Sequence, residues 1–117
     1  MDYQRKHDWR AVIRGIDPGA ESRISDFINY TIARETSTPR KLKELILMAS
    51  SAAMRYGVST RVHGLQAMKH GATRAEVLEV LSIVSIQAGF TAFVDAVEAL
   101  GDELIAATET DAKPPSN

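Results

Sequence analysis

The sequence predicts an all-α fold, a single-domain bundle of about five to six helices, and three observations carry that expectation. Apolar residues recur at spacings of three and four through most of the chain. Proline, glycine and capping side chains punctuate the segments between them. No stretch alternates apolar and polar residues between turn signals as a half-buried strand would, and no internal repeat stands out. At 117 residues and 44% apolar content, the chain can bury one core without disulfide or metal staples.

Residues 1–17 read as a charged N-terminal arm, with Trp9, Val12 and Ile16 spaced to cover a seam of the core and Trp9 as its anchor. Asp17-Pro18 suits a helix start, and Ile24, Phe27, Ile28 and Ile32 follow at helical spacing, so the first helix spans Pro18 to Arg34. A polar connector ends at Pro39, which opens a second helix with an apolar face of Leu42, Leu45, Ile46, Ala49, Ala52 and Ala53. That helix is expected to reach Tyr56 and stop at Gly57. Ser59 is then the expected N-cap of a short third helix carrying Val62, Leu65 and Met68, which Gly71 ends. The second and third helices form a hairpin.

Thr73-Arg74-Ala75-Glu76 has the form of a capping box and precedes Val77, Leu78, Val80, Leu81, Val84 and Ala88. This fourth helix is apolar over too wide an arc for a surface helix, so the fold or a partner subunit should bury it. After Gly89 a fifth helix carries Phe93, Val97, Leu100 and Leu104 in register. The helical domain thus covers residues 18–107, and residues 108–117 read as a disordered polar tail.

Lysine and arginine number 14 against 15 acids, leaving no global positive field, so nucleic acid is not an expected partner. Arg55, Arg61 and Glu79 interrupt the apolar stretches before any reaches the roughly 20 residues of a membrane span. The first residues carry charges without an apolar stretch behind them, unlike a secretory signal. A soluble, cytoplasmic protein is the default expectation. Cysteine is absent, which restricts the chemistry more than the compartment.

In the third helix Ser59, His63, Gln66 and His70 share a stripe distinct from the Val62, Leu65 and Met68 face. The stripe is either an exposed polar face or the wall of a pocket. Glu44 lies early in the second helix, and the hairpin brings its carboxylate within reach of the His63 ring. Such a pair orients an imidazole and holds its proton. The competing reading is an exposed glutamate paired with Lys41 or Lys43. Three histidines at 7, 63 and 70, with no cysteine and no His-x-x-x-His pair, make a poor zinc site. Gly57-Val58-Ser59-Thr60-Arg61 lacks the second glycine of a nucleophile elbow, so Ser59 reads as a cap and not as a nucleophile.

Four segments together resemble the carboxymuconolactone decarboxylase family, which includes the alkylhydroperoxidase D-like proteins. They are Glu44 to Ala49, Tyr56-x-x-Ser59-x-x-x-His63, Gly71 to Leu81, and Gln87-Ala88-Gly89-Phe90. The similarity covers roughly residues 38–105. It implies an all-helical, alkylhydroperoxidase D-like fold that assembles into homo-oligomers, trimers or hexamers. In the peroxidase branch a Cys-x-x-Cys-x-x-x-His motif works with an upstream glutamate, and those positions fall here on Tyr56, Ser59, His63 and Glu44. Glutamate and histidine match and both cysteines are gone. A serine hydroxyl cannot cycle through a disulfide, so thiol-based peroxide reduction is excluded.

The decarboxylase branch also lacks the cysteine pair and keeps the histidine. This chain departs from it at Ser59, Thr60 and Arg61, where acidic residues are usual, and at Phe90-Thr91, where a proline usually follows Ala-Gly. The resemblance implies cofactor-free acid–base chemistry on a small carboxylated lactone or related acid, by decarboxylation or isomerisation. His63 would move the proton and Glu44 would orient the ring. Arg61 or Arg55 would supply a cation for the substrate carboxylate, with Tyr56 bonding the developing oxyanion and Ser59 lining the site. For both arginines a surface or intersubunit ion pair is an equal expectation. Two other classes stay open, a non-catalytic oligomeric member and a small-ligand-binding subunit. A Glu44 carboxylate bonded to His63, both facing a cavity, is the geometry that favours the enzyme.

Overall fold

The computed structural model describes residues 6–107, so the expected tail lies outside the described residues. It is all-helical, with seven helices among the described residues and no strand. They are α1 (Trp9–Ile16), α2 (Pro18–Ala33), α3 (Arg40–Ala53), α4 (Gly57–Lys69), α5 (Arg74–Ala88), α6 (Phe90–Ala99) and α7 (Gly101–Ala107). The α3–α4 hairpin makes the most extensive contact, and α5 and α6 pack beside it.

The N-terminal segment, expected as an arm, holds a true helix. The Asp8 carboxylate caps α1 by accepting from the Arg10 amide, and the Asp17 carboxylate caps α2 by accepting from the Ala20 amide. Pro18 opens α2 because a first-turn residue has no intrahelical use for an N–H. Neither helix holds a fully buried residue, and Ile16 is 83% exposed, so it does not cover the core in the single chain.

The core is built from Leu45, Met48 and Ala52 of α3, Ala67 of α4, Val77, Leu81 and Val84 of α5, and Ala96 and Leu100 at the far end of α6. Small residues set its dimensions. A Cβ placed on Gly64 would stand 2.7 Å from Leu100 Cδ1, so α4 meets the α6 terminus at a distance only glycine allows.

Three boundaries differ from the sequence expectation. Helix α3 ends at Ala53, short of Tyr56, because Arg55 takes a left-handed φ of 59° and turns the chain. Helix α4 consequently begins at Gly57 with Tyr56 in the cap position, and Ser59 lies inside the first turn instead of capping it. The expected fifth helix is two, α6 and α7, meeting at Leu100, whose amide bonds back to the Ala96 and Val97 carbonyls. The Thr73–Glu76 capping box forms in both directions.

Candidate active site

Glu44 is the only carboxylate among the fully buried residues described, at 2% exposure, and it sits one turn into α3 on the face turned toward α4. A buried carboxylate needs partners for both oxygens. His63 Nδ1 bonds Glu44 Oε1 at 2.8 Å, and Arg40 Nε donates to Oε2 at 2.7 Å. Arg40 and Glu44 are one helical turn apart on α3, whereas His63 comes from the facing position of the antiparallel α4. The hairpin therefore joins a local pair on α3 to a side chain 19 residues from Glu44 in one chain of charge.

The arrangement fixes the imidazole. A carboxylate that already accepts from a guanidinium acts as an acceptor, so Nδ1–H donates to Oε1 and Nε2 is the nitrogen left for chemistry. The His63 side chain is 27% exposed, and its Nε2 has no protein hydrogen-bond partner among the described residues. An oriented ring with one nitrogen held and the other open can accept or deliver a proton.

The remaining sequence candidates go elsewhere. Ser59 Oγ accepts from Ser51 Oγ at 2.8 Å, tying the last turn of α3 to the first turn of α4. It belongs to the same helix seam as the Glu44–His63 pair but nearer the hairpin turn. Tyr56 is half-buried at the cap of α4, where its carbonyl accepts from the Thr60 hydroxyl at 2.9 Å. Arg55 donates through Nε and Nη2 to Asp95 at 2.9 and 2.5 Å. Arg61 forms a two-pronged pair with Glu103 and also reaches the Ala99 carbonyl. Both arginines thus tie the hairpin to α6 and α7. His70 is the exposed C-cap of α4.

Arg40 was not singled out by sequence reasoning. The signal that finds it is its i, i+4 spacing to Glu44, the spacing at which opposite charges meet on a helix. Lys41 and Lys43, named as alternative partners for Glu44, are engaged differently. Lys41 Nζ reaches Glu76 at 3.2 Å, and Lys43 Nζ donates to the Thr31 and Arg34 carbonyls at the end of α2.

A cleft of about 340 Å³ opens between the end of α2, the connector and α3, lined by residues including Ile32, Thr36, Thr38, Lys43 and Leu47. Neither Glu44 nor His63 lines it, so this cleft is not the cavity expected beside the pair, and His63 alone of the two reaches solvent, by another face. Among the described residues no three histidine, aspartate or glutamate side chains stand close enough to hold a metal ion. No described helix is long and apolar enough to cross a membrane.

Comparison with known proteins agrees with the fold. Searches of curated proteins and of solved structures returned no significant match. The sequence pattern of the carboxymuconolactone decarboxylase family matches residues 18–102, which takes in α2 to α6, the Glu44–His63 pair and the capping box. With the family pattern spanning most of its length and a cysteine-free helical hairpin at its centre, the chain belongs to the carboxymuconolactone decarboxylase family.

Proposed function

We propose that the protein is a cofactor-free acid–base enzyme that decarboxylates or isomerises a small carboxylated lactone or a related enol-forming acid. One observation carries this reading. His63 is anchored through Nδ1 to a buried carboxylate while Nε2 stays open to a substrate.

In the decarboxylation, the bond between the substrate carbon and its carboxyl group breaks and carbon dioxide leaves. The electron pair passes into the conjugated carbonyl as a dienolate. The His63 imidazolium then returns a proton from Nε2 to carbon and is reprotonated from solvent. Glu44, linked to Nδ1, stabilises the imidazolium before transfer and holds the ring after it. Tyr56, at the cap of α4, is the hydroxyl this reading assigns to the developing oxyanion. Isomerisation uses the same relay, with proton removal in place of carboxylate loss.

A second element of the proposal is assembly. Ile83, Ile86 and Phe90 are 61%, 84% and 71% exposed, on a helix pair whose opposite face is already in the core. The unusually wide apolar arc of α5 is accounted for by a homo-oligomer, a trimer or hexamer, that covers this surface.

The test is incubation of the purified protein with γ-carboxymuconolactone and related lactone acids, followed by ultraviolet absorbance. Turnover by the wild type and its loss in His63→Ala are expected. Turnover unchanged in His63→Ala overturns the role of the ring.

A further inference from the structure

Acid–base work on an organic acid requires a cation beside the proton donor, and Arg55 and Arg61 are both committed to carboxylates of their own. Arg40 is different. It binds Glu44 through Nε alone, and its two Nη groups have no protein acceptor among the described residues. Its side chain is 34% exposed, enough to meet a ligand.

Arg40 and His63 hold opposite oxygens of one carboxylate, so their bonded nitrogens are bridged by a single group, at 2.7 and 2.8 Å from it. Glu44 is nearly inaccessible and holds both partners from the protein side, while the unused nitrogens of Arg40 and His63 are not among the buried atoms. With Glu44 ionised and His63 protonated the cluster keeps a net positive charge. The first turn of α3 contains Arg40, Lys41 and no acid, and Pro39 offers no capping side chain to the helix's positive end.

We propose that Arg40 is the anion-holding residue of this site, its Nη groups binding the carboxylate of a small organic acid beside His63 Nε2. A guanidinium presents parallel N–H donors that match the two oxygens of a carboxylate, which an ammonium does not. The bound acid then lies with its reacting carbon against the open imidazole nitrogen, and the same glutamate sets both contacts. Decarboxylation is best served when Arg40 holds a carboxylate that the substrate keeps, because a cation bound to the departing group would stabilise the charge that must be lost. The assignment rests on the acid–base reading of the Glu44–His63 pair, but its test reads binding and needs no turnover.

The experiment is a nuclear magnetic resonance titration of the full chain, labelled with nitrogen-15 in histidine and arginine, with succinate at constant ionic strength. Saturable shifts of the His63 ring and the Arg40 Nε–H signals with one shared dissociation constant are expected. Arg40→Gln should weaken succinate binding at least tenfold, Arg55→Gln should leave it within twofold, and the neutral analogue succinamide should shift neither signal. Unchanged binding in Arg40→Gln overturns the assignment, as does an equal loss in Arg55→Gln, which would mark diffuse surface attraction. The shared dissociation constant is read in the unsubstituted protein, so two different constants, or none, overturn it even if Arg40→Gln does not fold. Failure of the catalytic reading shows separately, as turnover indifferent to His63→Ala.

Discussion

Two neighbouring oxygens decide the behaviour of the site at the level of single residues. Glu44 accepts from His63 and Arg40 while 2% exposed, so its substitution separates structural from chemical contributions. Glu44→Gln keeps the size of the side chain and removes the charge. Its stability loss should be about 1–3 kcal/mol, the usual cost of disturbing a buried charged hydrogen bond. Turnover should fall further, by about 10²- to 10⁴-fold, the contribution typical of a poised proton-transfer group. Thermal melting and steady-state kinetics on one preparation distinguish the two. A fall in turnover no larger than the fall in folded fraction would reduce Glu44 to a packing residue. The pair was legible in the sequence only as one of two readings, because helical offsets and a hairpin allow Glu44 to reach His63 without requiring it, and the family resemblance singled the two out. Arg40 was harder to see, since a first-turn arginine among lysines looks like solvated charge until its Nε is found on a buried oxygen.

Helix ends marked by proline, by the capping box or by Gly71 and Gly89 were readable as elements, whereas Gly57, expected to stop a helix, opens one. The ends of α3 and α6 were not readable. Arg55 adopts a positive φ and Leu100 breaks α6 from α7, and neither residue type announces such a conformation. Three element-scale outcomes follow from the geometry. Gly64→Ala should lower stability by about 1–2 kcal/mol despite its better helix propensity. The added Cβ meets both Leu100 methyl carbons, at 2.7 and 2.8 Å, and Leu100 is wholly buried with nowhere to yield. Gly89→Ala should also destabilise, through the positive φ of 96° and not through crowding, since a Cβ there meets open space. Denaturant melts of both variants check this, and in a Leu100→Ala background the added cost of Gly64→Ala should disappear while that of Gly89→Ala should remain.

The capping box of α5 adds a pH signature. The Glu76 carboxyl lies below its ordinary value because it accepts from the Thr73 amide, with Lys41 adding to the effect. A carboxylate depressed on folding stabilises the native state above its unfolded pKa, about 4.3 for glutamate. That stability is lost as pH falls from there through the lower folded value. Wild type should therefore be more stable than Glu76→Gln at neutral pH, and the difference should shrink through that acid window. A stability gap constant from pH 7 to pH 2 would mean that the side chain acts by packing alone.

The whole molecule presents an imbalance between what is buried and what is apolar. Helix α2 buries no residue completely, with Phe27 and Tyr30 at 69% and 60% exposure, and α5 and α6 turn Ile83, Ile86 and Phe90 outward. Monomeric proteins rarely leave such surfaces open. The sequence already signalled the excess in the wide apolar arc of α5, but a single chain has no means of showing which residues meet a partner. Coverage by copies of the same chain makes a definite prediction. Sedimentation equilibrium should show a trimer or hexamer, and Ile86→Glu with Phe90→Glu should shift it toward monomer, since two buried charges facing their symmetry mates are strongly unfavourable. Neither residue takes part in the Arg40–Glu44–His63 bonds, so the dissociated variant also separates assembly from chemistry. If the monomer keeps the His63-dependent turnover, the site is complete within one chain. If the wild type sediments as a monomer, the exposed faces of α2, α5 and α6 need another explanation.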